Sequence, residues 1–315
     1  MIGGRRTVDG HTRSPTSMRT FLRPTVITAT AAALVAAVAI AGLALVHDNS
    51  RHSPGSFAVA CRLSHAAPDD PIVMPGMAGM AHLHAFFGNT STSATSTRDS
   101  MLAAGTTCSD PADTSAVWVP VAMMNGQVVV PQREKTYYFR ASSEVETVPA
   151  DLRAIGGNQH ATAPGTPGVT WDCGIGTPRT THPYDCTPYA GGSVPVDGVV
   201  ARVDLPTCWD GITDPPQPQS NLVQPVNGHC PAGLPHEIPR VSIRVHYGIW
   251  DPCEGITPCG PDDASAANVT MQLSSGPYYT MHADFWNTWQ QDSLDALVAR
   301  CVRGRQACGI ITGGG

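Results

Sequence analysis

Apolar and polar residues alternate at the two-residue spacing of half-buried strands along most of the chain, and a helical spacing emerges clearly only near its end. The clearest alternation is Val241 to Tyr247, with Val241, Ile243, Val245 and Tyr247 on one face and Ser242, Arg244 and His246 on the other. Phe57 to Cys61, Thr136 to Arg140, Val199 to Leu205 and, more weakly, Asn268 to Leu273 read as further strands. Trp118 to Met124 and Gln127 to Pro131 flank Asn125-Gly126, a dipeptide suited to a two-residue hairpin turn. Ser96 to Ala104 reads as a short helix stopped by Gly105. Asp292 to Val302 reads as an amphipathic helix, with Leu294, Leu297, Val298, Cys301 and Val302 on one stripe and Asp292 as N-cap. The pattern predicts a mainly β chain: an antiparallel, sandwich-like domain with long loops and a short C-terminal helix.

The first 56 residues have a different pattern. Residues 1–25 carry Arg5, Arg6, Arg13, Arg19 and Arg23 against Asp9 alone, which suits a basic cytoplasmic tail. Residues 26–46 form an uncharged apolar run of membrane-spanning length, readable as an anchor or as a signal segment. The arginines before that run place the body of the chain outside the cytoplasm. A polar linker, 47–56, precedes a single expected domain over 57–310. The expected localisation is therefore exported: membrane-anchored, or secreted if the segment is cleaved.

Composition narrows the picture. Gly and Pro number 31 and 28 of 315 residues, and charged residues are only 14%, which favours short strands and turns over exposed helices. Beyond the tail there are 14 basic and 24 acidic side chains, with Lys135 the only lysine, so the body is a poor partner for nucleic acid. All ten cysteines come after residue 60 and none forms a C-x-x-C pair, so disulfides are expected rather than structural zinc. Short spacings make Cys173–Cys186, Cys253–Cys259 and Cys301–Cys308 the first pairs to expect in the loops.

Candidate chemistry gathers in two places. DDPIVMPGMAGMAHLHAFFG, from Asp69 to Gly88, joins two acids, a Pro-Gly turn and a His-x-His pair. On a strand His82 and His84 would share a face. His282-Ala-Asp284-Phe-Trp286 repeats the pattern, again with one shared face. If they converge, His82, His84, His282 and Asp284 are a ligand set for a divalent metal such as zinc or copper. Taken one by one, each histidine is a hydrogen-bonded strand residue, and the chain is then a structural envelope module whose His pairs merely fix loops. Without a metal, the same residues would line a cleft for an extracellular or cell-wall glycan. His82, His84, His282 and Trp286 would bind the glycan, Trp286 by stacking on a sugar ring. Asp284 and Asp210 would then be the catalytic acid and base, provided they lie about 5 to 10 Å apart. Met74, Met77 and Met80 form a thioether string before His82, readable as soft copper ligands or as simple loop packing. No G-x-S-x-G, H-E-x-x-H or phosphate loop is present, so serine hydrolysis and nucleotide use have nothing to rest on.

These residues also carry a resemblance. DDPIVMPGMAGMAHLHAFFGNTST, GTTC ending at Cys108, DTSAVWVP from Asp113, LPTCWDG from Leu205, HCP from His229 and HADFWNTW from His282 together resemble the exported domain of unknown function 1996 family, from about Phe57 to Cys301. The resemblance implies an exported domain and supplies no mechanism. It also implies a histidine in the loop after CWDG, where this chain has Asn221. If that histidine binds metal in relatives, this chain binds differently or not at all.

Overall fold

A computed structural model describes residues 55–141, 144–192, 196–215 and 220–313. The basic tail, the apolar run and the linker through residue 54 lie outside the described residues. No helix among the described residues is long and apolar enough to cross a membrane.

The strands track the alternation. The first half contains β1 (Ser56–Ala67), β2 (His84–Gly88), β3 (Ala116–Pro120), β4 (Ala122–Met124), β5 (Gln127–Val129) and β6 (Arg133–Phe139). Next come β7 (Arg153–Gly157), β8 (Val169–Asp172), β9 (Val200–Asp204), β10 (Cys208–Trp209), β11 (Leu222–Val223) and β12 (His236–Glu237). The last are β13 (Arg240–His246), β14 (Gln272–Leu273), β15 (Gly276–Pro277), β16 (His282–Trp286) and β17 (Ala307–Ile310). Nine of them run β7-β16-β3-β2-β1-β6-β13-β9-β8 in one sheet, with β17 added to β1. All the pairs are antiparallel except β1 with β17. Two small sheets, β11-β10-β12 and β15-β14-β4-β5, stand beside it.

The two packed walls expected of a sandwich come from this single sheet curling toward a barrel. The curl brings β7, at one end of the order, against β9, near the other. A Cβ added to Gly156 would lie 2.7 Å from Val203 Cγ1, so only glycine permits that approach. Phe57, Phe87, Val119, Tyr138, Trp171 and Phe285 point inward and form the main core. A second, smaller core lies on the outer face of β2, β3 and β16, where Phe86, Trp118 and Trp286 meet Ile72 from the loop before β2 and Met101 from the short helix that follows it.

Local elements hold to the expected chemistry, with adjustments. Asn125 and Gly126 both adopt positive φ, as the β4–β5 turn requires. The early helix is shorter, Arg98–Leu102, because Thr97 and Ser100 close a capping box at its start. The late helix starts at Gln291 with Gln290 as N-cap, which places Asp292 in the first turn, and it widens into a π-helical turn over Val298–Arg303. Only Gln272–Leu273 of the 268–273 segment forms a strand. The cysteines form five disulfides: the three short ones expected, plus Cys61–Cys108 and Cys208–Cys230. They point to an oxidising, extracellular environment.

Alternation on β6 turns Glu134 inward, where it is fully buried with Oε1 lacking a hydrogen-bond partner. Burial pushes its carboxyl well above 4.5 and, with help from Asp110, pushes the buried Asp113 up to about 7. A raised folded pKa adds stability that is full below the unfolded value and is lost as pH rises through the folded one. Replacing Glu134 by Gln should therefore stabilise the protein by about 1–3 kcal/mol at pH 8 and hardly at all at pH 4. Calorimetric melts at the two pH values check this.

Candidate functional site

Four side chains named from the sequence meet on the outer face of the sheet. β16 pairs with β3 and β3 with β2, so His282 and Asp284 lie one strand away from His84. Alternation along β16 sets His282, Asp284 and Trp286 on the face opposite Ala283 and Phe285, which belong to the main core. His82 precedes β2 rather than lying in it. Its ring still packs beside His84, with centroids 4.1 Å apart.

The three imidazoles converge through Nε2. His82 Nε2 lies 3.2 Å from His282 Nε2, and His84 Nε2 lies 3.5 Å from it. Two carbonyls fix how those rings are protonated. His84 Nδ1–H donates to Asp69 O at 2.9 Å, and His282 Nδ1–H donates to Thr280 O at 2.9 Å. A carbonyl only accepts, so each ring carries its proton on Nδ1 and turns an Nε2 lone pair inward. Burial pushes the pKa of His84 well below 6.5, with the neighbouring His82 and His282 adding to it. Burial takes His282 down to about 4 and also lowers His82. At neutral pH two lone pairs therefore face one another with no proton of their own between them.

Asp284 adds a fourth donor. Its Oδ2 is 3.9 Å from His282 Nε2, beyond hydrogen-bond reach. The side chain is fully buried and neither oxygen has a hydrogen-bond partner. Burial, and then the charge of Asp70, raises its pKa well above 3.8. Asp70 is the site residue that the sequence patterns do not single out. Its carboxylate falls with His84 and Asp284 in a set whose ligand atoms all lie within 4.8 Å of one another, as do those of His82, His84 and His282. Asp70 Oδ1 accepts from the N–H groups of Ile72 and Val73, which curls the loop over the site. Its place in the same DDP stretch as the His-x-His pair is the available signal.

A cavity of about 480 Å³ opens beside the cluster, lined by Asp70, His282 and Asp284 together with Asn158, Gln159 and His160. Gly157 sits opposite His282 on β7, with φ +83°. A Cβ there would fall 2.3 Å from Met281 O. Gly157→Ala should force β7 away from His282 and destabilise the fold by about 1–3 kcal/mol, read from urea unfolding.

Two expected members stand apart. Trp286 is 1% exposed; its Nε1 donates to Asp151 Oδ1 and Arg153 covers its ring at 4.0 Å, so that face is not open to a sugar. Asp210 comes directly after β10, in a small separate sheet, accepts from Ile212 N–H, and does not line the cavity. Asn221 is buried beside it, its Nδ2 donating to Ile212 O, and so supports the CWDG loop. Met77 and Met80 are 50% and 62% exposed.

The sequence profile of a domain of unknown function (DUF1996) matches residues 70–289, from the first cavity acid to past β16. The chain belongs to the DUF1996 family. No curated protein and no solved structure matches it significantly. The DUF1996 match contains all four candidate ligands and Asp70, and it leaves β1 and β17 outside.

Proposed function

We propose that this DUF1996 protein binds one divalent transition metal, zinc or copper, through His82, His84, His282 and Asp284, with the adjoining cavity as the approach to it. The observation that carries this reading is the pair of rings held by Asp69 O and Thr280 O so that their Nε2 lone pairs converge. Metal-ligating histidines are commonly oriented in this way, through a hydrogen bond from the other ring nitrogen. Tetrahedral zinc with Zn–N bonds of about 2.0–2.1 Å sets neighbouring nitrogens roughly 3.3 Å apart. The Nε2 separations of 3.2 and 3.5 Å bracket that value. A cation would also compensate Asp284, a buried carboxylate with no donor of its own.

Titration calorimetry of chelator-stripped protein with zinc and with copper(II) tests the reading. One equivalent per chain is expected, with tight binding lost in His84→Ala. Absence of binding, or binding unchanged in that variant, would overturn it.

A second reading has one specific observation behind it. Asp70 and Asp284 are two neighbouring carboxyls lining one cavity, and burial raises the pKa of both. Two carboxyls this close can share one proton, which suits binding or acid–base cleavage of an extracellular glycan without metal. Glycan-array binding and hydrolysis screens that persist in excess chelator, and fail in Asp70→Asn, would favour it.

A further inference from the structure

The outer face of β6, β13 and β9 carries an arrangement that the metal cluster does not use. The register puts Lys135 directly opposite Arg244, and Arg244 directly opposite Arg202, so three cations stand in one row across three adjacent strands. Like charges directly opposite in a sheet repel one another and weaken it. In the next row Arg133 stands opposite His246, which burial and the neighbouring cations keep neutral, with a pKa of about 3.

Countercharges answer only part of this. Arg202 pairs with Asp172, and Arg133 with Asp197. Among the described residues neither Lys135 nor Arg244 is paired with a carboxylate. Arg244 instead lies 3.7 Å over the Tyr137 ring, which holds its guanidinium still. Its Nε is buried without a hydrogen-bond partner, and so is Nη1 of Arg202, a residue only 6% exposed. All four cations line a cavity of about 310 Å³. The only lysine of an otherwise acidic chain is among them.

We propose that the Lys135–Arg244–Arg202 row is a binding site for an oxyanion group: sulfate, phosphate or carboxylate. Guanidinium and ammonium groups gathered around one cavity are the donors such a group takes up in charge-assisted hydrogen bonds. A bound anion would also relieve the repulsion along the row. The site is independent of the metal cluster, and its failure would leave that reading untouched. The oxyanion is either a free ion or one carried on a sugar, as in a uronic acid or a sulfated saccharide. The cavity has room for a single sugar ring.

Calorimetric titration of the full chain with inorganic sulfate, inorganic phosphate, glucuronate and galactose 6-sulfate, at ionic strength matched with sodium chloride, tests this. Saturable binding of one anion per chain is expected, weakened roughly ten-fold by Lys135→Gln and by Arg244→Gln, as loss of one charge-assisted contact implies. Lys135 is half-buried at the end of the row, so Lys135→Gln remains informative if Arg244→Gln fails to fold. Without added anion, Lys135→Gln should melt no lower than the parent, because it removes a repulsion. Tighter binding of the sugar-borne groups would assign the source as a saccharide, and equal binding a free ion. No saturable binding by any of the four, or binding undiminished in Lys135→Gln, overturns the proposal.

Discussion

Stripping the protein with a chelator should lower its melting temperature by roughly 5–10 °C, and adding back zinc or copper(II) should restore it. The size comes from mass action: free metal at 100 times its dissociation constant stabilises the native state by about 2.7 kcal/mol, and each kcal/mol moves the melting point of a domain this large by about 2–4 °C. The ligands reach the ion from two segments two hundred positions apart, and unfolding separates them. His282→Ala should abolish the metal-dependent shift, because its Nε2 is the atom that approaches the Nε2 of both His82 and His84. Its loss also leaves a small void in a buried layer, so the comparison is made with and without metal for each variant. A shift that survives His282→Ala would place the metal elsewhere.

Asp284→Asn should move the two states in opposite directions. In the metal-free protein Asp284 is a buried carboxyl whose pKa stands well above 3.8. Its folded form holds the proton more tightly than the unfolded chain does. The stability this provides is full below pH 3.8 and declines as pH rises toward the raised folded value. Asparagine keeps the shape without the titrating proton, so the stripped variant should be more stable than the stripped parent at pH 7.5, by about 1–3 kcal/mol, and equal to it near pH 3.5. With metal the order reverses, since the amide supplies no negative charge to the cation. Urea denaturation at both pH values, with and without zinc, checks all four states. A variant that gains stability and still binds zinc as tightly as the parent would remove Asp284 from the ligand set.

The strand faces are legible in the sequence because side-chain direction depends only on a period of two. His82-x-His84 and His282-x-Asp284 can thus be placed on single faces before any fold is known. Their meeting cannot be, since it depends on β3 lying between β2 and β16, a fact of sheet order that no local pattern encodes. Asp210 and Trp286 look equally suitable in type. One directly follows β10 of a separate small sheet, and the other lies beneath Arg153 in the outer core. Asp70 escapes notice because its role comes from a loop fold that its own carboxylate helps to build. The cationic row is invisible for the same reason as the histidine cluster. Arg244 and His246 read as a solvent-facing side of a strand, and only the register with β6 and β9 reveals what stands beside them.

The parallel pairing of β17 with β1 has a bearing on how the chain reaches its native state. Ser56 finds one backbone neighbour at Ala307, some two hundred and fifty positions later. Four of the five disulfides close spans of 22 residues or fewer, and can form as each loop is made. The opening strand keeps an unfilled edge until the closing one arrives. Non-local pairings of this kind slow folding. Until they form, such an edge invites pairing with another chain, so the newly made molecule is prone to aggregate until β17 is in place.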